Sequence, residues 1–108
     1  KEETKFGLDF KEALNLLKSS DYAGMKNIRI KGLMGMATFT ENDEIVRSEF
    51  RYLAHCFNTI KSEFFPSDSG FCELSMGMTG DYKIAVEEGS TILRIGTLIF
   101  GSRSQANN

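Results

Sequence analysis

Between Asp43 and Phe64, apolar residues fall at Val46, Phe50, Leu53, Ala54, Phe57, Ile60 and Phe64. That spacing, near 3.6, puts them on one face of a long helix with acids at its front. Such a stripe must be buried against something, and strand-like runs flank it on both sides. Asn27 to Met36 precedes it. After the turn cluster of Pro66, Ser67, Asp68 and Gly70 comes Phe71 to Met76. A shorter helix from about Asp81 to Glu88 follows, with Gly89 where a left-handed C-cap belongs, and then a third strand from Thr91 to Ile95. A first helix near residues 9 to 19 is signalled by the capping pair Asp9 and Glu12 and by Phe10, Ala13, Leu14 and Leu17; Ser19, Ser20 and Asp21 break it. Strands alternating with helices imply parallel strands joined by right-handed crossovers, hence an α/β architecture.

Three parallel strands make a thin sheet with open edges and at least one uncovered face, so the pattern reads as part of something larger. In a (β/α)8 barrel, ligands sit at the C-terminal ends of the strands, and phosphate is often held by the loops after the seventh and eighth. The expected fold is therefore the C-terminal part of a TIM barrel, about the last three β/α units. Residues 1–108 form one portion of a single domain, closed by a polar tail at 102–108. Hydrophobic content of 41% and charged content of 26% fit a globular protein. A net charge of −2, with scattered Lys and Arg, argues against nucleic-acid binding. No apolar run reaches the roughly 20 residues of a membrane span, and the expected location is cytoplasmic. Exposed sheet edges lead us to expect a fragment of this kind to self-associate.

Two segments carry the candidate chemistry. Glu73 to Asp81 and Ser90 to Gly101 each run from strand-like residues into a turn of glycines and hydroxyls, a pattern that leaves backbone N–H groups available to an anion. Together they suggest a phosphate cup. Ser75 and Thr97 also fit as caps of the turns that follow them, Arg94 as a strand residue paired with a surface acid, and Met34, Met36, Met76 and Met78 as adaptable core filler. Cys56 and Cys72 lack metal-ligand spacing and read as reduced, semi-buried thiols. His55 falls opposite the apolar face of the long helix and reads as solvent-facing. Asp43, Glu44 and Glu49 read as a helix start and a solvated face, with no carboxylate pair placed for acid and base work.

Gly32-Leu-Met34, Leu74-Ser-Met-Gly-Met78 and Arg94-Ile-Gly-Thr-Leu-Ile-Phe-Gly101, with the opening Glu2-Glu-Thr-Lys-Phe-Gly7, resemble the C-terminal half of the pyridoxal phosphate homeostasis protein family. That family in turn resembles the barrel domain of alanine racemase. The resemblance covers Lys1 to Arg103 and implies a non-enzymatic pyridoxal 5'-phosphate binding protein. It implies that Ser75 and the backbone around Gly77 contact the phosphate, that Gly96 and Thr97 complete the cup, and that Arg94 points to the pyridine nitrogen. Met34 and Met76 are expected to line the pocket near the ring. The family's Schiff-base lysine belongs to the N-terminal half, so no lysine here inherits it by motif; Lys31 and Lys83 read as solvated or salt-bridged. Thr79 replaces a common Ser and keeps its hydroxyl. An amino-acid racemase is the alternative, though the racemases carry a further β-rich domain supplying a second base; an isolated module without ligand function is the third reading.

Overall fold

The computed structural model describes residues 7–96. Helix α1, Phe10–Lys18, begins at Asp9, whose carboxylate accepts the Glu12 N–H at 2.8 Å while the Glu12 side chain accepts the Asp9 N–H at 2.9 Å. This reciprocal capping box satisfies two of the donors that a helix start leaves unpaired. Ser19 ends α1 and at once caps a single further turn, α2, Ser20–Ala23, so the expected break is a redirection between two helices.

Strand β1 comprises Gly32–Met34, shorter than the expected run from Asn27. The reason lies in its neighbour. Residues 65 to 71 are folded into consecutive turns, with Asp68 N–H on Phe65 O and Phe71 N–H on Asp68 O, so no extended chain stands beside 27–31. Pairing starts only at Lys31, whose carbonyl accepts the N–H groups of both Cys72 and Glu73. Helix α3, Asp43–Phe64, keeps the expected bounds, with Asn42 capping Glu44 and Ile45. Strand β2, Glu73–Met78, helix α4, Tyr82–Glu87, and strand β3, Ile92–Arg94, complete the described order. Gly89 has φ +108, the left-handed conformation expected of it.

The strands form one parallel sheet in the order β1-β2-β3, as the alternating pattern implied. Leu33 pairs with Leu74, and these side chains with Met76 and Leu93 meet Val46 and Phe50 of α3 and Ala85 of α4 in the main core. Beyond it, Phe71 stacks between Phe57, at 5.2 Å, and Phe65, at 4.4 Å, and Lys61 donates to the Phe71 carbonyl at 2.5 Å, tying the end of α3 to the start of β2. Along the outer edge, Arg47 and Arg51 of α3 bind Glu87 and Glu88, clamping α4.

Consecutive strand residues face opposite ways, so Met34, Ser75 and Ile92, which lie side by side in register, form the other face of the sheet. No described helix covers it, and Met34 is 69% and Ile92 43% exposed. One face is a core and the other is open. Among the described residues, no helix is long and apolar enough to cross a membrane.

Candidate functional site

The C-terminal ends of the three strands converge on Arg94. From β3 its Nη2 donates to the carbonyl of Gly35, just past β1, at 2.6 Å, and lies 3.5 Å from the carbonyl of Ser75 on β2. Gly35 in turn donates its N–H to Ser75 O at 3.0 Å. One guanidinium thus spans all three strand ends. Of its other nitrogens, Nε is buried and has no hydrogen-bond partner among the described residues. A buried N–H without an acceptor costs about 1–3 kcal/mol, so its retention calls for an explanation. Among the described residues Arg94 has no carboxylate partner, so nothing there supports reading it as half of a surface ion pair.

Ser75 is half-buried on the open face beside Met34, and its hydroxyl makes no hydrogen bond among the described residues. Met76 lies elsewhere. It is fully buried in the helix-side core with Leu74 and Phe50, which corrects the expectation that it lines a pocket with Met34. The alternation of a strand forbids Ser75 and Met76 from presenting their side chains to the same face.

Gly77 is buried with φ +107, and the β2–β3 register slips between Ser75 and Met78. A Cβ there would come within 2.6 Å of the Ala85 Cβ and 2.8 Å of the Leu93 Cδ2. Glycine is therefore required for both the backbone conformation and the approach of α4. The turn after it is partly closed from within: Asp81 Oδ1 accepts the Met78 N–H at 2.8 Å, and the Asp81 N–H returns to Met78 O at 3.0 Å. The Met78 amide is consequently engaged rather than left for an anion. Gly96 is exposed two residues past Arg94, and Thr97 lies outside the described residues.

A cleft of about 370 Å³ opens beside Thr79 to Ile84 and Asp43. It contains none of the expected site residues, and the two carboxylates on its wall, Asp43 and Asp81, suit a phosphate dianion poorly. Lys31, Lys83 and His55 are exposed, as is Cys72; burial pushes the Cys56 thiol up from its ordinary range.

Sequence reasoning missed the loop after β1. Glu49, read as part of a solvated helix face, reaches across to Thr38 and accepts its N–H at 2.6 Å and its hydroxyl at 2.8 Å. The available signal was its position on α3, one residue before Phe50 and one turn before Leu53, on the border of the apolar stripe.

Curated relatives carry one name. The pyridoxal phosphate homeostasis protein of Aquifex aeolicus is 41% identical over 103 residues, covering 94% of this chain and 42% of its own length. That of Haemophilus influenzae is 35% identical over 107 residues, 99% of this chain and 44% of its own. The chain belongs to the pyridoxal phosphate homeostasis protein family. It spans less than half the length of these family members. Among solved structures, PipY of Synechococcus elongatus matches with a TM-score of 0.81 without PLP and 0.78 with PLP bound, at 28% identity over 94% of this chain and 45% and 46% of the respective PipY chains. A protein of unknown function from Bifidobacterium adolescentis matches at 0.77 and 35% identity, over 92% of this chain and 38% of its own. No family profile matches the chain.

Proposed function

We propose that this chain supplies the phosphate-binding part of a pyridoxal 5'-phosphate site in a non-enzymatic protein of intracellular cofactor homeostasis. The observation that carries this reading is the buried Nε of Arg94 at the C-terminal ends of the strands, unpartnered among the described residues. It is a donor in need of an acceptor, and an unprotonated pyridine nitrogen is one. PipY, similar over nearly the whole of this chain, has been solved with PLP bound.

The residues fit the group. Arg94 holds the ring nitrogen and, being always charged itself, keeps that nitrogen unprotonated. Ser75 offers its hydroxyl to the phosphate from the open face, the backbone around Gly77 approaches it, and Gly96 and Thr97 complete the cup with amide and hydroxyl donors. Hydrogen bonds to a charged phosphate are roughly twice as strong as neutral ones, so these few donors contribute most of the non-covalent affinity. Met34 lies beside Ser75 on the same face and shields the ring from water. When bound, the cofactor supplies a reactive aldehyde on an electron-withdrawing ring. An unprotonated ring nitrogen weakens that withdrawal, which suits a carrier more than a carbanion catalyst.

The open face formed by Met34, Ser75 and Ile92 becomes the interior of a (β/α)8 barrel, whose other strands, with the Schiff-base lysine, belong to the remainder of the longer protein. That reading is supported by the parallel order β1-β2-β3, by the single helical layer and by the fraction of the relatives' length that the chain spans. An absorption titration with pyridoxal phosphate, run beside a racemization assay on several amino acids, tests the proposal. Saturable binding without racemization is the expected result; racemization would establish an enzyme instead.

A further inference from the structure

The geometry points to Glu49 as a positioning residue of the cofactor site, acting through the loop after β1 on Arg94. The inference rests on the pyridoxal phosphate reading for its consequence in binding, though not for the placement of Arg94 itself. Arg94 is anchored by the Gly35 carbonyl, at 2.6 Å, so whatever fixes Gly35 fixes the guanidinium. Three contacts hold residues 35 to 38. The Gly35 N–H is bound to Ser75 O at 3.0 Å, within the sheet. Its Cα is seated against Leu53 of α3 so closely that an added Cβ would come within 2.7 Å of the Leu53 Cδ2. One turn earlier on the same helix, Glu49 takes both the backbone N–H and the hydroxyl of Thr38.

These contacts differ in kind. Ser75 and Leu53 belong to the ladder and the core, and would place Gly35 in any fold of this shape. Among the described residues, Glu49 holds the far side of the loop with a carboxylate that accepts two hydrogen bonds from Thr38, beside the packing of Ala37 against the core. Charge-assisted bonds of this sort are short and directional, which suits the holding of a carbonyl on which another side chain rests. Met36 is 55% and Phe39 fully exposed, so around the half-buried Ala37 and Thr38 the loop has little packing to hold it. Without Glu49, Thr38 and the residues after it lose their hold on α3, the Gly35 carbonyl is freer to turn, and Arg94 loses its fixed angle to the ring nitrogen.

The test uses Glu49→Ala, which leaves a strong helix former on α3, and Thr38→Val, which removes only the hydroxyl. Glu49→Gln serves as the conservative rescue. The first readout is the Arg94 Nε–H signal by NMR together with amide exchange at Thr38, with no cofactor present. The second is pyridoxal phosphate affinity by absorption titration, in the native and in the Arg94→Gln background. Glu49→Ala is expected to shift the Arg94 signal, speed Thr38 exchange about tenfold or more and weaken binding about five- to tenfold. Thr38→Val should do the same in lesser degree, and Glu49→Gln should restore most of the loss. In Arg94→Gln the effect of Glu49→Ala should shrink below about twofold, because the two residues act through one chain of contacts. An unmoved Arg94 signal, or an equal loss of affinity in the Arg94→Gln background, overturns the inference. If the native protein does not bind pyridoxal phosphate, the cofactor reading falls, and the Arg94 signal alone decides the positioning role.

Discussion

The two faces of the sheet differ in what their residues are for. On the helix side, Leu74, Met76, Val46, Phe50 and Ala85 are buried, and every side chain has neighbours on all sides. On the other side, Gly32, Met34, Ser75 and Ile92 are at most half-buried, and the polar groups there, the Ser75 hydroxyl and the buried Arg94 Nε, have no hydrogen-bond partner among the described residues. The same three strands thus carry a covered face and an open face, separated only by the alternation of the backbone, and the proposed recognition belongs to the second. Substitutions on the first should lower stability and spare recognition; substitutions on the second should do the reverse.

The largest effect should come from the centre of the covered face. Phe50→Ala removes a side chain that is 1% exposed and should cost about 3–5 kcal/mol, read as a lower urea midpoint with the slope unchanged. Gly77→Ala attacks the boundary between the faces, since a Cβ meets Ala85 and Leu93 at a positive φ; a loss of about 2–4 kcal/mol is expected in the same experiment. A stable Gly77→Ala variant would mean that α4 does not sit so close to β2.

At the rim of the covered face, Glu88 is held below the usual carboxylate range by its hydrogen bonds from Arg51 and Arg47. A depressed folded-state pKa adds stability that is present above the unfolded value, about 4.3, and is lost as pH falls through the lower folded value. Glu88→Gln should therefore flatten the acid limb of the stability curve below about pH 4.3 and leave its shape at higher pH unchanged. The smallest effect on stability is expected on the open face. Met34→Ser, at a residue 69% exposed, should change the unfolding free energy by no more than about 0.5 kcal/mol while weakening pyridoxal phosphate binding. A large loss of stability there would show that the face is closed by something other than ligand.

Most of the covered face was legible in the residues. The stripe of α3, the Asp9 and Glu12 capping box and the left-handed Gly89 are local signals, and local signals survive into the fold. The strands were overextended at Asn27 because a strand ends where its neighbour does, and residues 65 to 71 gave no sign that their turns would leave 27–31 unpaired. The open face was legible only in part. Ser75 and Arg94 stand out by type and place, but the family resemblance implied a pocket role for Met76, on a face that strand alternation denies it. Glu49 was missed because its place on the border of the apolar stripe marks it as near the core without showing that it grips a loop 11 residues away.

The most direct test is the absorption titration of the protein with pyridoxal phosphate, native against Arg94→Gln and Phe50→Leu. If the open face is the cofactor site, the native protein and Phe50→Leu give the same saturable spectral change, and Arg94→Gln weakens it about tenfold or more while still unfolding in one cooperative urea transition. Equal binding by the native protein and Arg94→Gln would contradict the assignment, because the Arg94 Nε, buried and without an acceptor among the described residues, would then have no part in holding the ring.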